Sequence, residues 1–107
     1  MLKTLDSRSQ LILRSSLALR VRDEVLDRLG LDHSILNAPR TRGNTLARGA
    51  LYASMRAFRG PAGSSLSMQE IAEACDREHH TALYWPIQQF EISAGRPVQA
   101  WTLKEMS

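Results

Sequence analysis

Residues 67–83 read SMQEIAEACDREHHTAL. Ser67 and Glu70 have the spacing of a capping box, in which each side chain satisfies a backbone N–H at a helix start. Leu66 and Ile71 take the hydrophobic-staple positions around it. The pattern predicts a helix over residues 68–75 with Ile71, Ala74 and Cys75 turned inward. Asp76 and Arg77 make a turn. A second helix is expected to begin near Glu78 and to bury Ala82, Leu83, Ile87 and Phe90. The start of that helix carries Arg77, Glu78, His79, His80 and Thr81. All five can hydrogen-bond a base edge or a phosphate, so the cluster suits a DNA major groove better than a core.

The flanking sequence extends the helical pattern. Leu13, Leu17, Val21, Val25 and Leu29 recur every four residues and predict a helix over about residues 9–29. Gly30 suits a left-handed cap. Asp32 can cap a single turn that presents Ile35 and Leu36 to the core, and Pro39 ends it. Residues 39–44, PRTRGN, form a basic loop. Asn44 or Thr45 caps the next helix, residues 46–59, with Leu51, Met55 and Phe58 on its inner face and Gly60-Pro61 as its stop. Pro86 falls inside the second helix of the 67–91 pair and predicts a bend or an early end with a restart. After Ile92, SAGRP breaks the pattern, and VQAWTLKEM fits either a strand or a docked helical turn. The reading is an all-α domain over residues 1–92, with a helix-turn-helix at about 67–91, followed by a tail over residues 93–107.

Composition narrows the function. A chain of 107 residues with 43% hydrophobic content supports one small core. No apolar run approaches the ~18 residues of a membrane span, and MLKTLDSRSQ lacks a signal-peptide pattern. The single cysteine, Cys75, fits a reducing cytoplasm and a packed thiol. Net charge is only +3, but no Asp or Glu occurs between Asp32 and Glu70, an interval that holds Arg40, Arg42, Arg48, Arg56 and Arg59. One face built for a polyanion is the expectation. Catalysis is not. His79 and His80 are adjacent, so they diverge on a helix and make a poor metal pair, and His33 has no partner at ligand spacing. No carboxylate set converges for a nuclease, and no glycine-rich phosphate loop with a following Lys-Ser/Thr supplies an ATPase. No enzyme activity, cofactor or metal is expected.

In a helix-turn-helix, the start of the second helix meets the bases and the N-terminus of the first holds a phosphate. Ser67, Met68 and Gln69 are placed for the phosphate. Glu78 can accept from the cytosine amino group, His79 and His80 can donate to purine N7 or thymine O4, and Thr81 offers a hydroxyl and a methyl.

The same residues resemble a family. SMQEIAEACD-REHHTALY is similar to the pattern S-L-P-E-I-G-x-x-F-G-x-R-D-H-[ST]-T-V-L-H of the C-terminal DNA-binding domain (domain IV) of the bacterial replication initiator DnaA. Ser67, Glu70, Ile71, Arg77, His79, Thr81 and Leu83 match it. Upstream, GLDHSILNAPRTRGNTLARGALY resembles that family's short helix, basic loop and the Ala-Arg that opens its long helix. The likeness covers about residues 21–91. It implies a DnaA domain IV-like, Trp-repressor-like helical bundle. It implies base contacts from Glu78, His79 and His80, and a base or backbone contact from Thr81. It places Arg48 in the adjacent minor groove and Arg40 and Arg42 near phosphates. The turn is one residue shorter and lacks the pattern's glycines, Glu78 replaces Asp, and His80 replaces Ser or Thr. The site read is therefore expected to differ from the standard DnaA box. Tyr84-Trp85-Pro86 replaces small and polar residues, which points to a partner surface made by Tyr84, Trp85 and Trp101.

The expected function is sequence-specific binding of double-stranded DNA by a stand-alone DnaA-like transcription regulator. It would hold RNA polymerase or a co-activator at a promoter, in the manner of phage-derived activators, including those of gene transfer agents. Two alternatives stand beside it: a replication-control protein that competes for DnaA-type sites, and a protein-interaction adaptor with an inherited DNA surface. A homodimer through the flank of the N-terminal helix is also compatible with paired half-sites.

Overall fold

A computed structural model of the protein describes residues 7–104. The first six residues of the expected domain and the last three of the expected tail lie outside it. Four α-helices make up the body: α1 (Ser7–Leu29), α2 (Arg42–Ala57), α3 (Met68–Ala74) and α4 (Tyr84–Ala94). Short 3-10 turns fall at His33–Asn37, Pro61–Gly63 and His80–Leu83. No strand occurs among the described residues; the chain is all-helical.

Helix α1 buries Ala18, Val21, Val25 and Leu26. The expected stripe holds only in its middle, because Leu13 and Leu29 are 56% and 42% exposed. A strict four-residue repeat overshoots each turn by about 40°, so its ends rotate off the core. Leu11 and Ile12 are exposed as well. At the other end, Gly30 takes φ 67°. There Gly30 N–H donates to Asp27 and Leu31 N–H to Leu26, which closes α1 in a Schellman motif.

Asp32 caps the following turn through Ser34 N–H, and Ile35 and Leu36 are buried as anticipated. Helix α2 starts four residues before the expected position. Its cap is Thr41, whose hydroxyl accepts from Asn44 N–H at 3.1 Å, while the Asn44 side chain turns back to the Pro39 carbonyl. Arg42 therefore belongs to the first turn of α2. Leu51, Met55 and Phe58 are fully buried, as their spacing required.

Helices α2 and α4 form the most extensive pairing. Their closest crossing is at Gly49, where an added Cβ would meet the Pro86 carbonyl and lie 2.8 Å from Phe90 Cβ. Helix α3 has only seven residues and is held at both ends from α1. Arg14 donates to both Glu70 oxygens and to Ser65 O, and Arg22 donates to Ala74 O at 2.6 Å. Both halves of the capping box are present.

That Arg14 guanidinium holds the Glu70 carboxyl below its usual range, against the opposing effect of partial burial. A depressed folded value makes the contribution full above the unfolded carboxyl's pKa, about 4.3, and lost as pH falls through the folded value. Glu70→Gln keeps the cap but not the charge. It is expected to cost roughly 1 kcal/mol or less at neutral pH. Thermal melts should show the variant and the parent converging in strong acid; a gap that stays constant with pH would assign Glu70 a purely steric part.

The segment after α4 is neither a full strand nor a helical turn. It is extended and makes one parallel bridge, Phe58 with Trp101. Trp101 Nε1 donates to Ser54 O at 2.6 Å, its ring meets Phe58 edge-on at 5.3 Å, and Arg28 lies 4.4 Å over its face. Leu103 is 3% exposed and completes the core. Trp101 and Leu103, within the expected tail, are thus docked on the helical body. Trp101, expected on a partner surface, is engaged inside the fold.

Candidate functional site

Helix α3 ends at Cys75, and Asp76 then takes φ 61°. Arg77 N–H donates to Ala72 O at 2.8 Å and Asp76 N–H to Glu73 O, again a Schellman closure. Aspartate tolerates this left-handed position better than most residues, so the turn forms without glycine. Cys75 is buried beside Met55 sulfur at 3.6 Å, and burial pushes its thiol up to about 12. It is an inert packed thiol.

The second helix does not begin near Glu78. Glu78 and His79 are non-helical, and His79 is an extended residue that offers no side-chain cap. A 3-10 turn follows at His80–Leu83, and α-helix starts only at Tyr84. Pro86 supplies the reason: it has no N–H to give to Ala82 O, so an α-type ladder cannot run back through it. In the first turn of α4 that missing donor costs nothing. A change of helix type thus takes the place of the expected kink. Leu83 and Ile87 are buried, but Ala82 is exposed. In a 3-10 turn, with three residues per turn, Ala82 sits about 120° from Leu83.

The polar cluster stands in solvent. The Glu78 and His79 side chains are 94% and 81% exposed, and His80 and Thr81 are exposed too. Gln69 on α3 braces this segment: its Nε2 donates to Glu78 O at 3.3 Å, and its Oε1 lies 3.3 Å from His80 Nδ1. The His80 ring meets Tyr84 edge-on at 6.1 Å. Sequence reasoning placed Gln69 on a phosphate and missed the brace. Ser67 accepts from Glu70 N–H in the cap, and Met68 is half-buried against the core, so neither side chain is simply a free surface group.

Arginines divide into two kinds. Arg40 and Arg42 are exposed. Arg48 is 7% exposed, and its Nη1 donates to Ile35 O and Ala38 O, both at 2.9 Å. Arg77 donates from Nη2 to Leu36 O and from Nε to the Tyr52 hydroxyl at 3.4 Å. These carbonyls lie at the end of the His33–Asn37 turn, where Ala38 N–H donates to Ile35 O at 3.4 Å, and the two guanidinium groups complete their bonding. Arg48, expected to reach outward, is instead turned inward and pins the turn to α2. Tyr52 was not anticipated. Burial raises its phenol above the ordinary value, which keeps it neutral beside Arg77.

One cavity joins the two halves of the site. Arg40, Thr45 and Arg48 line it from the loop and α2, and Arg77, Thr81 and Trp85 line it from the other side. Arg42 and Trp85 share an adjoining groove with Leu46 and Ile92. Tyr84 and Trp85 are about half exposed (48% and 54%). Arg40 of the basic loop and Thr81 at the end of the histidine segment therefore line one cavity. Trp101 is not brought to it.

No grouping of three His, Cys, Asp or Glu side chains suited to a metal occurs among the described residues, and no helix there is long and apolar enough to cross a membrane. Comparison with protein-family models, curated proteins and solved structures finds no match.

Proposed function

We propose that the protein binds double-stranded DNA in a sequence-specific manner, as a DnaA domain IV-like helix-turn-helix regulator. The observation that carries this reading is the exposed Glu78-His79-His80-Thr81 segment, whose Thr81 lines one cavity with Arg40 of the acid-free loop. Glu78, His79, His80 and Thr81 read base edges in the major groove, and Arg40 and Arg42 hold phosphates. Gln69 and Arg77 set the reading segment in place. Arg48 acts from behind by fixing the loop. The protein works by position and without catalysis, in the cytoplasm on the nucleoid.

Tyr84, Trp85 and Ile92 favour a protein partner on α4, such as RNA polymerase or a co-activator, because they are large apolar groups left in water. Exposed Leu11 and Ile12 on α1 favour a homodimer on paired half-sites. Replication control at DnaA-type sites uses the same DNA face and differs only in where the sites lie.

His79→Ala is expected to weaken binding to a selected duplex by about 1–3 kcal/mol while leaving random duplex almost unaffected. Arg42→Ala should weaken both alike and flatten the salt dependence by about one phosphate's worth. Fluorescence titrations at several salt concentrations, after selection from random duplex, measure both. Unchanged affinity in the two variants would transfer the proposal to the adaptor class.

A further inference from the structure

The cavity between the basic loop and the 3-10 segment has features that a duplex contact does not need. Its volume is about 450 Å³, and none of its lining residues is acidic. Three arginines line it, and two of them donate to neutral oxygens: Arg48 to carbonyls, Arg77 to a carbonyl and a phenol. Neutral partners fix a guanidinium without cancelling its charge. A guanidinium also has more N–H groups than these bonds use. Arg48 is more than nine-tenths buried, so its charge is held in a low-dielectric wall, where it acts strongly on an incoming anion. Arg40 stands exposed at the same cavity. Trp85, 54% exposed, lines the same cavity.

Two guanidinium groups held in place and a third, exposed one suit a phosphate monoester or a diphosphate, which guanidinium groups match in geometry as well as charge. A bare exposed indole suits a planar aromatic ring. A volume of this size falls in the range of small-molecule sites, about 300–1,000 Å³. We infer that the cavity binds a free nucleotide, with its phosphate among Arg40, Arg48 and Arg77 and its base stacked on Trp85. A duplex phosphate shares the anion chemistry but cannot bring a base to Trp85, because its bases are paired and stacked inside the helix. The inference goes beyond DNA recognition and stands whether or not that reading holds.

Calorimetric titration of the whole protein tests it, with AMP, GMP, ADP, GDP, inorganic phosphate and adenosine as probes in the millimolar range, and with a short duplex alongside. Nucleotides are expected to bind one per chain and about tenfold more tightly than inorganic phosphate; adenosine is expected not to bind. Arg40 and Trp85 are exposed, so their variants keep the fold, which circular dichroism verifies. Arg40→Ala should weaken nucleotide and phosphate together by about tenfold. Trp85→Ala should lower nucleotide affinity to that of inorganic phosphate and leave the latter unchanged. Nucleotide and phosphate binding equally well, with no effect of Trp85→Ala, would overturn the nucleotide site. Binding of duplex alone would also overturn it while leaving DNA recognition standing. Absence of any binding by nucleotide or phosphate rejects it outright.

Discussion

Gly49→Ala is expected to lower the melting temperature by roughly 10–15 °C, for a loss of about 2 kcal/mol. Helix propensity alone argues the reverse, since alanine in mid-helix is favoured over glycine by about 1 kcal/mol. The crossing of α2 and α4 decides the sign. The new methyl group would collide with the Pro86 carbonyl group and with Phe90 Cβ, which is 2.8 Å away. A backbone carbonyl cannot swing aside as a side chain would, so the cost belongs near the upper end of overpacking, about 3 kcal/mol. Circular dichroism melts of the two proteins supply the test. A stabilised variant would mean that the helices do not cross at this point.

Arg48→Ala is expected to be at least as damaging, at about 3 kcal/mol. It strips two charged hydrogen bonds from Ile35 O and Ala38 O and opens a void behind the loop. Arg48→Lys should recover only part of the loss, because an ammonium is more strongly hydrated than a guanidinium and costs more to bury. Arg42→Ala, an exposed change, should stay within about 0.5 kcal/mol. Urea unfolding at constant slope separates these outcomes. Equal midpoints for the two alanine variants would return Arg48 to the role of an outward-reaching arm. The contrast also bears on DNA assays. A loss of affinity in Arg48→Ala has to be read against its fraction folded, whereas the same loss in Arg42→Ala can be taken directly.

Local chemistry was the most legible part of the chain. Ser67 with Glu70, Gly30 after Leu29, and Asp32 before Ser34 each make hydrogen bonds within a few residues, so their patterns carry to the structure unchanged. The inward faces of α2 and α3 were equally readable, since a helical period needs no knowledge of the partner. What failed to show depends on distant groups. Thr41 caps α2 through Asn44 N–H, so Asn44 lies inside the helix that it was expected to start. Arg48 looks like any arginine at the start of a basic helix until the end of the His33–Asn37 turn arrives beside it. The delayed start of α4 was half visible in Pro86; that the gap would fill with a 3-10 turn was not. On the candidate site, the exposure of Glu78, His79, His80 and Thr81 followed from their polarity. Tyr52 and the brace made by Gln69 left no pattern, because each acts across a fold contact and not along a helix.

The bridge between Phe58 and Trp101 has a bearing on synthesis. Phe58 is fully buried, and Trp101, some forty residues downstream, lies against it. Helices α1, α2 and α3 can gather as they leave the ribosome, yet the edge of α2 stays uncovered until residue 103 has cleared the exit tunnel. A nascent chain paused short of that point carries an unfinished seam, and holding that seam apart from other chains is a task for chaperones.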